Sequence, residues 1–458
     1  MRRLIQCVVW LVPGPSNRVI VRETPLGASA ALMNDPVYLS VTPPGDYETV
    51  TIDTRFLSRS QPLVELGATV NAQAGQIVLK PLMHETLDRL DWSKVEQDGL
   101  TLWQRFPRYI SIDDFLARPP VRSRIATFHA ELPEDSMVPY EWTSGGGLDQ
   151  TSVSLRGFHE FVVATDGRDL VFDIVYMDMN RNPGRDPVLV RAYQDGHVLA
   201  EVRHDDDGIE ADTQGALGRQ TLRLVVRDPD PGVVKVELNA NTDIYWREIH
   251  SSVPRLSFMR NVTIGDDVGY ASKPRGVTLY TNAEYLTVFT RHAEGIQTIR
   301  VGDETLDIAV PHERYTMART STGVVPVVIP KGDLVLVTDG QIAFSREAFF
   351  DPFTVRLDDR TSLDRRGVDY VLAEYVPPKK DGDAYVARAT FSLANLEREQ
   401  MVDEAAVGSS SALRFVYSIP HVTDREASVE IQSITMVFER PPRALRDVAH
   451  IFAKRIGL

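Results

Sequence analysis

Apolar and polar residues alternate in short runs along most of this chain. Between Leu170 and Tyr176 every second side chain is apolar, and Asp173 lies on the opposite side. Alternation with period two is typical of a β-strand with one buried face. Comparable runs, rich in Val, Thr, Tyr and Leu and bounded by Gly, Pro, Asp or Asn, occupy residues 47–56, 222–228, 233–238, 277–281, 286–290 and 334–338. The pattern therefore predicts a protein built mainly from short strands.

Helical spacing of apolar residues is scarce. Residues 84–95 and 111–118 predict two short helices, and 344–350 predicts a single turn. Many short strands at hairpin spacing favour sandwiches or barrels over alternating βαβ units. We therefore expect an all-β fold of tandem β-sandwich modules, jelly-roll-like or immunoglobulin-like, with few short helices.

Proline and glycine residues between the apolar runs predict where these modules meet. Seams lie near residues 118–124, 249–255 and 349–353. A different pattern follows the last strands, because a basic amphipathic helix is predicted after Pro441–Pro442. The predicted modules and this helix occupy residues 17–118, 125–250, 253–350, 353–440 and 441–458.

The predicted C-terminal helix places its apolar residues at helical spacing, with basic residues among them. These are Leu445, Val448, Phe452 and Ile456, with Arg443, Arg446, Lys454 and Arg455. Three interpretations remain open: packing on the last sandwich, contact with a membrane or an envelope partner, and a frayed tail.

Composition narrows the functional classes. The chain has 458 residues, 43% of them hydrophobic, and a net charge of −14. This size predicts three or four domains, at roughly 100–200 residues for each domain. An acidic balance argues against nucleic-acid binding, which needs a concentrated basic face. A single cysteine, Cys7, excludes internal disulfides and zinc sites that are built on several cysteines.

The N-terminal segment permits three interpretations. Arg2 and Arg3 precede an apolar run, Leu4–Val12, that ends at Pro13. The run is too short to span a bilayer as a helix, which needs about 20 residues. It matches the front of a secretory signal, a first strand, or a truncated membrane anchor.

One polar stretch is a candidate calcium site. It carries oxygen-bearing side chains between two apolar runs, at Asp178, Asn180, Asn182 and Asp186. A helical calcium loop needs Gly at its sixth position and Glu at its twelfth, where this chain has Pro183 and Leu189, so that form is excluded. A strand-loop calcium site and a plain turn both remain open, because Asn, Pro, Gly and Asp also favour turns. The flanking strands predict that the stretch is a hairpin tip in the second sandwich.

Two other acidic runs have the composition of cation sites. Residues 204–212 carry Asp205, Asp206, Asp207, Glu210 and Asp212, and the favoured interpretation is a solvated hairpin tip in which Gly208 serves the turn. Residues 358–369 mix carboxylates with arginines, so metal binding is less favoured there.

Catalytic motifs do not emerge from the sequence. There is no HExxH pair, P-loop or G-x-S-x-G elbow. Carboxylate pairs for glycoside cleavage meet only in a fold, so the enzyme question stays open, with a non-enzyme favoured. Tryptophans near strand ends indicate either core packing or a sugar-stacking platform. Trp142, beside Gly145–Gly147, is the candidate ligand-binding residue.

The region from Phe158 to His250 resembles uncharacterised surface proteins predicted in candidate-phylum bacteria. The matching text is "DLVFDIVYMDMNRNPGRDPVLVRAYQDG" and "VKVELNANTDIYWREI", with further likeness through residues 278–308 and 350–360. The resemblance implies an exported protein of several sandwiches, usually with an N-terminal membrane segment. This chain departs there, because its apolar run is too short. No activity or site residue comes with the resemblance.

The sequence therefore predicts a non-enzymatic cell-surface or secreted protein that acts in structure or binding. The alternative is a carbohydrate-active protein that binds or cleaves a surface polysaccharide. The expected partners are a surface glycan or an envelope protein, and no cofactor is expected apart from the candidate calcium ion.

Overall fold

The structure, a computed structural model, is dominated by β-strands. It describes residues 4–8, 15–24, 27–43, 45, 47–59, 61–132, 148–150, 154–181, 183–206, 208, 218–265, 275–402, 409–420 and 429–440. The predicted all-β class is confirmed. The predicted C-terminal helix, 441–458, lies outside the described residues.

Ten strands lie within the described residues before residue 130. They are β1 (Leu4–Val8), β2 (Val19–Thr24), β3 (Gly27–Leu32), β4 (Val37–Val41), β5 (Thr49–Ser58), β6 (Leu63–Asn71), β7 (Gln76–His84), β8 (Ser93–Gln97), β9 (Leu100–Gln104) and β10 (Ile125–Phe128).

The middle of the chain contributes a second group of strands. They are β11 (Leu148–Gln150), β12 (Leu155–Arg156), β13 (His159–Thr165), β14 (Leu170–Asp178), β15 (Val188–Gln194), β16 (His197–His204), β17 (Gln220–Val226), β18 (Gly232–Asn239), β19 (Ile244–Ser251), β20 (Leu256–Thr263), β21 (Val277–Thr281), β22 (Tyr285–Phe289), β23 (Gln297–Val301), β24 (Glu304–Ile308), β25 (Tyr315–Ala318), β26 (Val325–Ile329) and β27 (Val335–Ala343).

The last group completes the sheets. Its strands are β28 (Val355–Arg356), β29 (Tyr370–Ala373), β30 (Lys379–Asp381), β31 (Ala384–Ser392), β32 (Arg398–Val402), β33 (Ser409–Ser418) and β34 (Val429–Glu439). The described helices are short: α1 (Glu85–Arg89), α2 (Ile112–Ala117), α3 (Leu363–Arg366), and 3₁₀ turns at Ser16–Arg18, Arg122–Arg124, Ala293–Gly295 and Leu393–Asn395. Within the described residues, no helix has the length and apolar character needed to cross a membrane.

The predicted helices are only partly present. Ser111 begins α2 by accepting a hydrogen bond from the N–H of Asp114 at 3.0 Å, so the prediction over 111–118 is confirmed. The prediction over 84–95 is wrong beyond Arg89, because the chain turns there and continues as β8.

Both ends of the described chain meet in one sandwich, the terminal sandwich. One sheet has the order β2-β3-β34-β5-β31-β30, with β1 also on β34. The other has the order β32-β33-β6-β7, with β4 on β33. The two sheets enclose one core, to which Ile52, Phe56, Leu66, Phe415 and Phe438 belong.

The register of β5 shows that the predicted first and fourth modules are not separate. Thr49 is the partner of both Ser392 and Glu439. The predicted boundaries at 17–118 and 353–440 are therefore wrong, because strands from each range alternate within one sheet. The apolar run at the N-terminus forms β1 over Leu4–Val8, where Leu4 pairs with Glu439.

A smaller mixed sheet, the connecting sheet, carries the chain away from the terminal sandwich and back. Its order is β28-β10-β29-β9-β8, and β10 is parallel to both β28 and β29. The outgoing strand β10 and the returning strand β28 are neighbours. The strands β11 to β27, which lie between β10 and β28 in the sequence, therefore form a unit inserted into the chain of the connecting sheet, the inserted unit.

The inserted unit combines the predicted second and third modules. One sheet has β11-β19-β14-β17, with β12 on β19. The other continues from β16-β15-β18-β13 through β20 into β27-β21-β26-β23-β24, with β22 and β25 attached. A single core runs through both parts and includes Phe161, Phe172, Phe258, Leu279 and Leu336. The predicted boundary between 125–250 and 253–350 is wrong, because β13 of the first range pairs with β20 of the second.

Candidate functional site

The candidate cation site begins where β14 ends. Alternate residues of β14 are buried, and the alternation continues to Asp178, whose exposed fraction is 4%. β14 pairs with β17 and β19, whereas β15 pairs with β16 and β18 in the other sheet. The predicted hairpin tip is therefore wrong: residues 179–187 cross from one sheet of the inserted unit to the other.

Asp243 fixes the start of this crossover. Its backbone carbonyl accepts a hydrogen bond from the N–H of Met179 at 3.1 Å, and its carboxylate accepts one from the N–H of Arg181 at 2.7 Å. Between them, Asn180 has φ 47° and donates its N–H to Asp178 Oδ1 at 3.0 Å. Asn tolerates this left-handed conformation better than most residues. Asn180 therefore serves the turn, and its role as a calcium ligand stays a prediction.

A second crossover lies at the same end of the inserted unit. β16 pairs with β15, and β17 pairs with β14, so the chain also changes sheets between His204 and Gln220. The hairpin tip predicted over 204–212 falls mostly on residues 207 and 209–212, which lie outside the described residues. The Tyr176 hydroxyl links the strand ends, because it donates to Gln220 Oε1 at 2.7 Å and lies 2.8 Å from His204 Nδ1.

These crossovers bring three carboxylates together. One carboxylate oxygen from each of Asp178, Asp186 and Asp206 lies within 4.8 Å of the other two. The N–H of Asp186 donates to Asp206 Oδ1 at 2.7 Å, and the N–H of Gly208 donates to Asp206 Oδ2 at 2.9 Å. Asp186, like Asp178, is 4% exposed, and Asp206 is half-buried. We call these three residues the aspartate cluster.

The spacing in the aspartate cluster suits one calcium ion. Ca²⁺ binds oxygen ligands at about 2.3–2.6 Å, so two ligands of the same ion lie at most about 5 Å apart. All three oxygens satisfy this limit. The cluster also affects the neighbouring Tyr176. Burial is the largest effect that raises the pKa of Tyr176, and the negative charge of Asp178 raises it further.

The sequence prediction found part of this arrangement. Asp178 and Asp186 are brought together, Asn180 lies beside them, and Asn182 is outside the described residues. Asp206 was missed as a partner, although its acidic run was noted, because no local pattern says that the two loops meet. The neighbouring Asp207, Glu210 and Asp212 also lie outside the described residues.

Aromatic residues were the other candidate ligand platform. Trp142 lies outside the described residues, so its role stays a prediction. Trp103 and Trp246 are each 1% exposed, and Trp246 Nε1 donates to the carbonyl of Gly157 at 2.6 Å. These two side chains fill cores. Trp92 is half-buried, and the Arg105 guanidinium lies 4.5 Å from its ring centroid.

Carboxyl groups with a raised pKa occur in other parts of the fold, where they fasten segments together. Burial raises the pKa of Asp88, which accepts a hydrogen bond from the Tyr375 hydroxyl at 2.6 Å. Burial likewise raises the pKa of Asp351, which accepts hydrogen bonds from the Asn282 amide and the N–H of Phe353. Glu284 is similar: burial outweighs the opposing charges of its arginine neighbours and raises its pKa.

Comparisons with known proteins supply no family. No protein-family model and no curated protein matches the chain. The turret protein of an archaeal virus, described as a triple jelly roll, aligns at 8% identity over 73% of this chain and 90% of its own, with a TM-score of 0.20. A structure of infectious bursal disease virus, Gt strain, aligns at 9% identity over 100% of this chain and 90% of its own, with a TM-score of 0.16. Similarity this weak supports no inference about function.

Proposed function

We propose that this protein is a non-enzymatic structural or binding protein of the cell surface or the extracellular medium, and that calcium stabilises its inserted unit. The observation that carries the proposal is the convergence of Asp178, Asp186 and Asp206 at one end of that unit. Two crossovers between sheets meet there, so an ion bound by all three residues ties both crossovers together.

The affinity expected of this site is linked to the calcium concentration outside the cell. Sites in extracellular modules bind calcium with dissociation constants of about 10⁻⁴–10⁻³ M, whereas intracellular sensors need tighter sites. Within the described residues three carboxylates converge, and because calcium affinity depends on the number of charged ligands, we assign this site to the weaker class. Such a site fills where calcium is plentiful. This argument supports the extracellular location that the sequence predicts.

The test is thermal unfolding of the full chain at controlled free calcium. From excess chelator to about 10 mM calcium, we expect the Tm to rise by about 4 °C, with a smaller rise for magnesium, which dehydrates reluctantly. An unchanged Tm over the whole calcium range would remove calcium from the proposal. Fractionation of the source cells tests the location separately, and recovery only in the cytoplasm would contradict it.

A glycan array separates binding through modules from the carbohydrate-active alternative. Retention of a polysaccharide that is weakened by Trp142→Ala would support sugar recognition, and hydrolysis of that polysaccharide would replace the non-enzymatic proposal. The predicted basic helix at 441–458 is tested by vesicle sedimentation of the full chain with and without that segment. Loss of sedimentation on deletion would support a membrane contact.

A further inference from the structure

The terminal sandwich and the connecting sheet meet at a small set of titratable residues. The terminal sandwich and α1 contribute Glu65, His84 and Asp88, and the connecting sheet contributes His129 and Tyr375 from the ends of β10 and β29. We call this set the joint. Apolar side chains from both units pack around it, among them Leu63, Leu87, Trp103 and Phe128.

Two polar contacts cross the joint. The Tyr375 hydroxyl accepts a hydrogen bond from the N–H of His84 at 2.9 Å and donates one to Asp88 Oδ1 at 2.6 Å. His129 Nε2 lies 2.6 Å from Glu65 Oε1. Both contacts use groups that can carry charge, so the strength of the joint depends on pH.

His84 differs from the other members of the joint. Its side chain is 0% exposed, and among the described residues neither ring nitrogen has a hydrogen-bond partner. The ring instead lies edge-on to Phe128, with centroids 4.6 Å apart. An imidazole without an acceptor in an apolar site is stable only as the neutral form, because charging it there requires desolvation without compensation.

The surrounding charges do not supply that compensation. Asp358 favours the protonated form of His84 and His129 disfavours it, but burial is the largest effect and lowers the pKa of His84 to about 4. Burial is the largest effect on the pKa of Asp88 and raises it. The charge of Lys94 lowers this pKa, and the charge of Glu85 on α1 raises it. Lys80 and Glu374 pair at 2.6 Å across the outer side of the contact. Unlike His84, His129 has a carboxylate partner in the joint, Glu65.

We propose that the joint is an acid-operated release, in which protonation of His84 separates the terminal sandwich from the connecting sheet while each keeps its own strand pairing. A charged His84 leaves its apolar site for water, and its departure withdraws the ring that packs on Phe128. Because His84 ends β7 and precedes α1, its movement also displaces Asp88 from Tyr375. The inserted unit then changes its position relative to the terminal sandwich.

The test is hydrogen exchange of the full chain, with protection factors corrected for intrinsic exchange at each pH. Between pH 7.5 and pH 4.5 we expect the protection of residues 84–90 and 375–376, which lie at the joint, to fall at least about tenfold, while β5, β29 and β34 stay protected. In His84→Phe, which keeps an aromatic ring but cannot be protonated, the fall should shrink to less than about threefold. His197→Phe, at an exposed position of β16, serves as the control and should behave as the wild type.

A second substitution keeps the test valid if His84→Phe does not fold. His84→Gln is neutral at every pH in the range and should also remove most of the pH-dependent fall. An equal fall in wild type and in whichever variant folds would overturn the proposal. Loss of protection in β5 and β34 together with the joint would also overturn it, because that result means unfolding of the terminal sandwich rather than release.

Discussion

Glu284 accepts a hydrogen bond from the backbone N–H of Ser362 at 2.9 Å, and it thereby fastens the inserted unit to the returning chain. Ser362 begins α3, and Arg366 of that helix lies 3.9 Å from Glu284 Oε1 and 2.5 Å from Asp339. Gly340 lets β27 approach the backbone of Ala283 closely, since a Cβ on Gly340 would lie 2.6 Å from the Ala283 nitrogen. Arg319, 0% exposed, donates to the carbonyls of Asn282 and Ala283 from the other side.

Replacement of Glu284 by Ala should therefore weaken this attachment. The side chain is 1% exposed, so its loss leaves the N–H of Ser362 without its acceptor and removes the buried carboxylate that lies 3.9 Å from the Arg366 guanidinium, at a cost of about 3 kcal/mol. Glu284→Gln keeps an acceptor for Ser362 and should cost less. Urea unfolding measures both changes, and Glu294→Gln, an exposed carboxylate, is the control. A loss no greater than that of the control would contradict the role assigned to Glu284.

The aspartate cluster can be tested with neighbouring residues. Asp206→Asn removes one carboxylate from the cluster but keeps an acceptor for the N–H of Asp186. We expect the free calcium concentration at the midpoint of stabilisation to rise at least about tenfold, because the ligand charge is reduced. Asp205→Asn removes the same charge from an exposed side chain paired with Arg203, outside the cluster. Equal calcium midpoints for both variants would show that the cluster is not the calcium site.

His159 should make the inserted unit sensitive to acid. Its Nδ1 lies 3.0 Å from the carbonyl of Gly157 and its Nε2 accepts the N–H of Thr263 at 3.0 Å, so the folded state holds the neutral ring. Burial lowers its pKa to about 4, from the value of 6.5 that is ordinary for histidine. The unfolded chain therefore binds a proton that the folded chain does not, as pH falls from 6.5 towards 4.

This difference is expected to reduce the stability of the inserted unit by up to about 3 kcal/mol at pH 4, with the loss beginning below pH 6.5. His159→Gln should flatten the dependence, measured by urea unfolding at several pH values, and His292→Gln, at an exposed position, should not. The raised pKa values of Asp88, Glu284 and Asp351 have the opposite effect on stability. As pH falls, these carboxyls bind protons in the folded chain before they do so in the unfolded chain. Comparison of each variant with the wild type isolates the histidine.

Phe258 should couple the two parts of the inserted unit. Its ring lies on β20, fully buried, with centroids 5.6 Å from both Phe161 and Phe344. Phe258→Ala leaves a cavity in the shared core and should cost about 3–5 kcal/mol. Hydrogen exchange should show lower protection in β13 and in β27 together. Protection lost on one side alone would indicate two independent cores, and Phe353→Ala, at a partly exposed ring, provides the comparison.

Local patterns predicted the strands but not their partners. Alternation in β5 and β14 was visible because each strand buries one face, and period two follows from that burial. Nothing near Thr49 indicates that Glu439 lies opposite, since pairing between distant strands leaves no local signal. The same limit explains why the sheet-to-sheet crossover between β14 and β15 was predicted as a hairpin tip. Asp178 and Asp186 were found because they are close in sequence, and Asp206 was missed because only the crossovers bring it near.

The pairing of β5 with β31 and β34 also sets an order of events during synthesis. When β5 leaves the ribosome, neither of its sheet partners has been made, and the whole inserted unit must be translated first. The inserted unit is continuous in sequence, so it can complete its core while the first seven strands still wait. Those early strands need protection from wrong pairing throughout this interval, because they are apolar and have exposed edges. β34, the last strand among the described residues, then closes the sandwich that the first strands began.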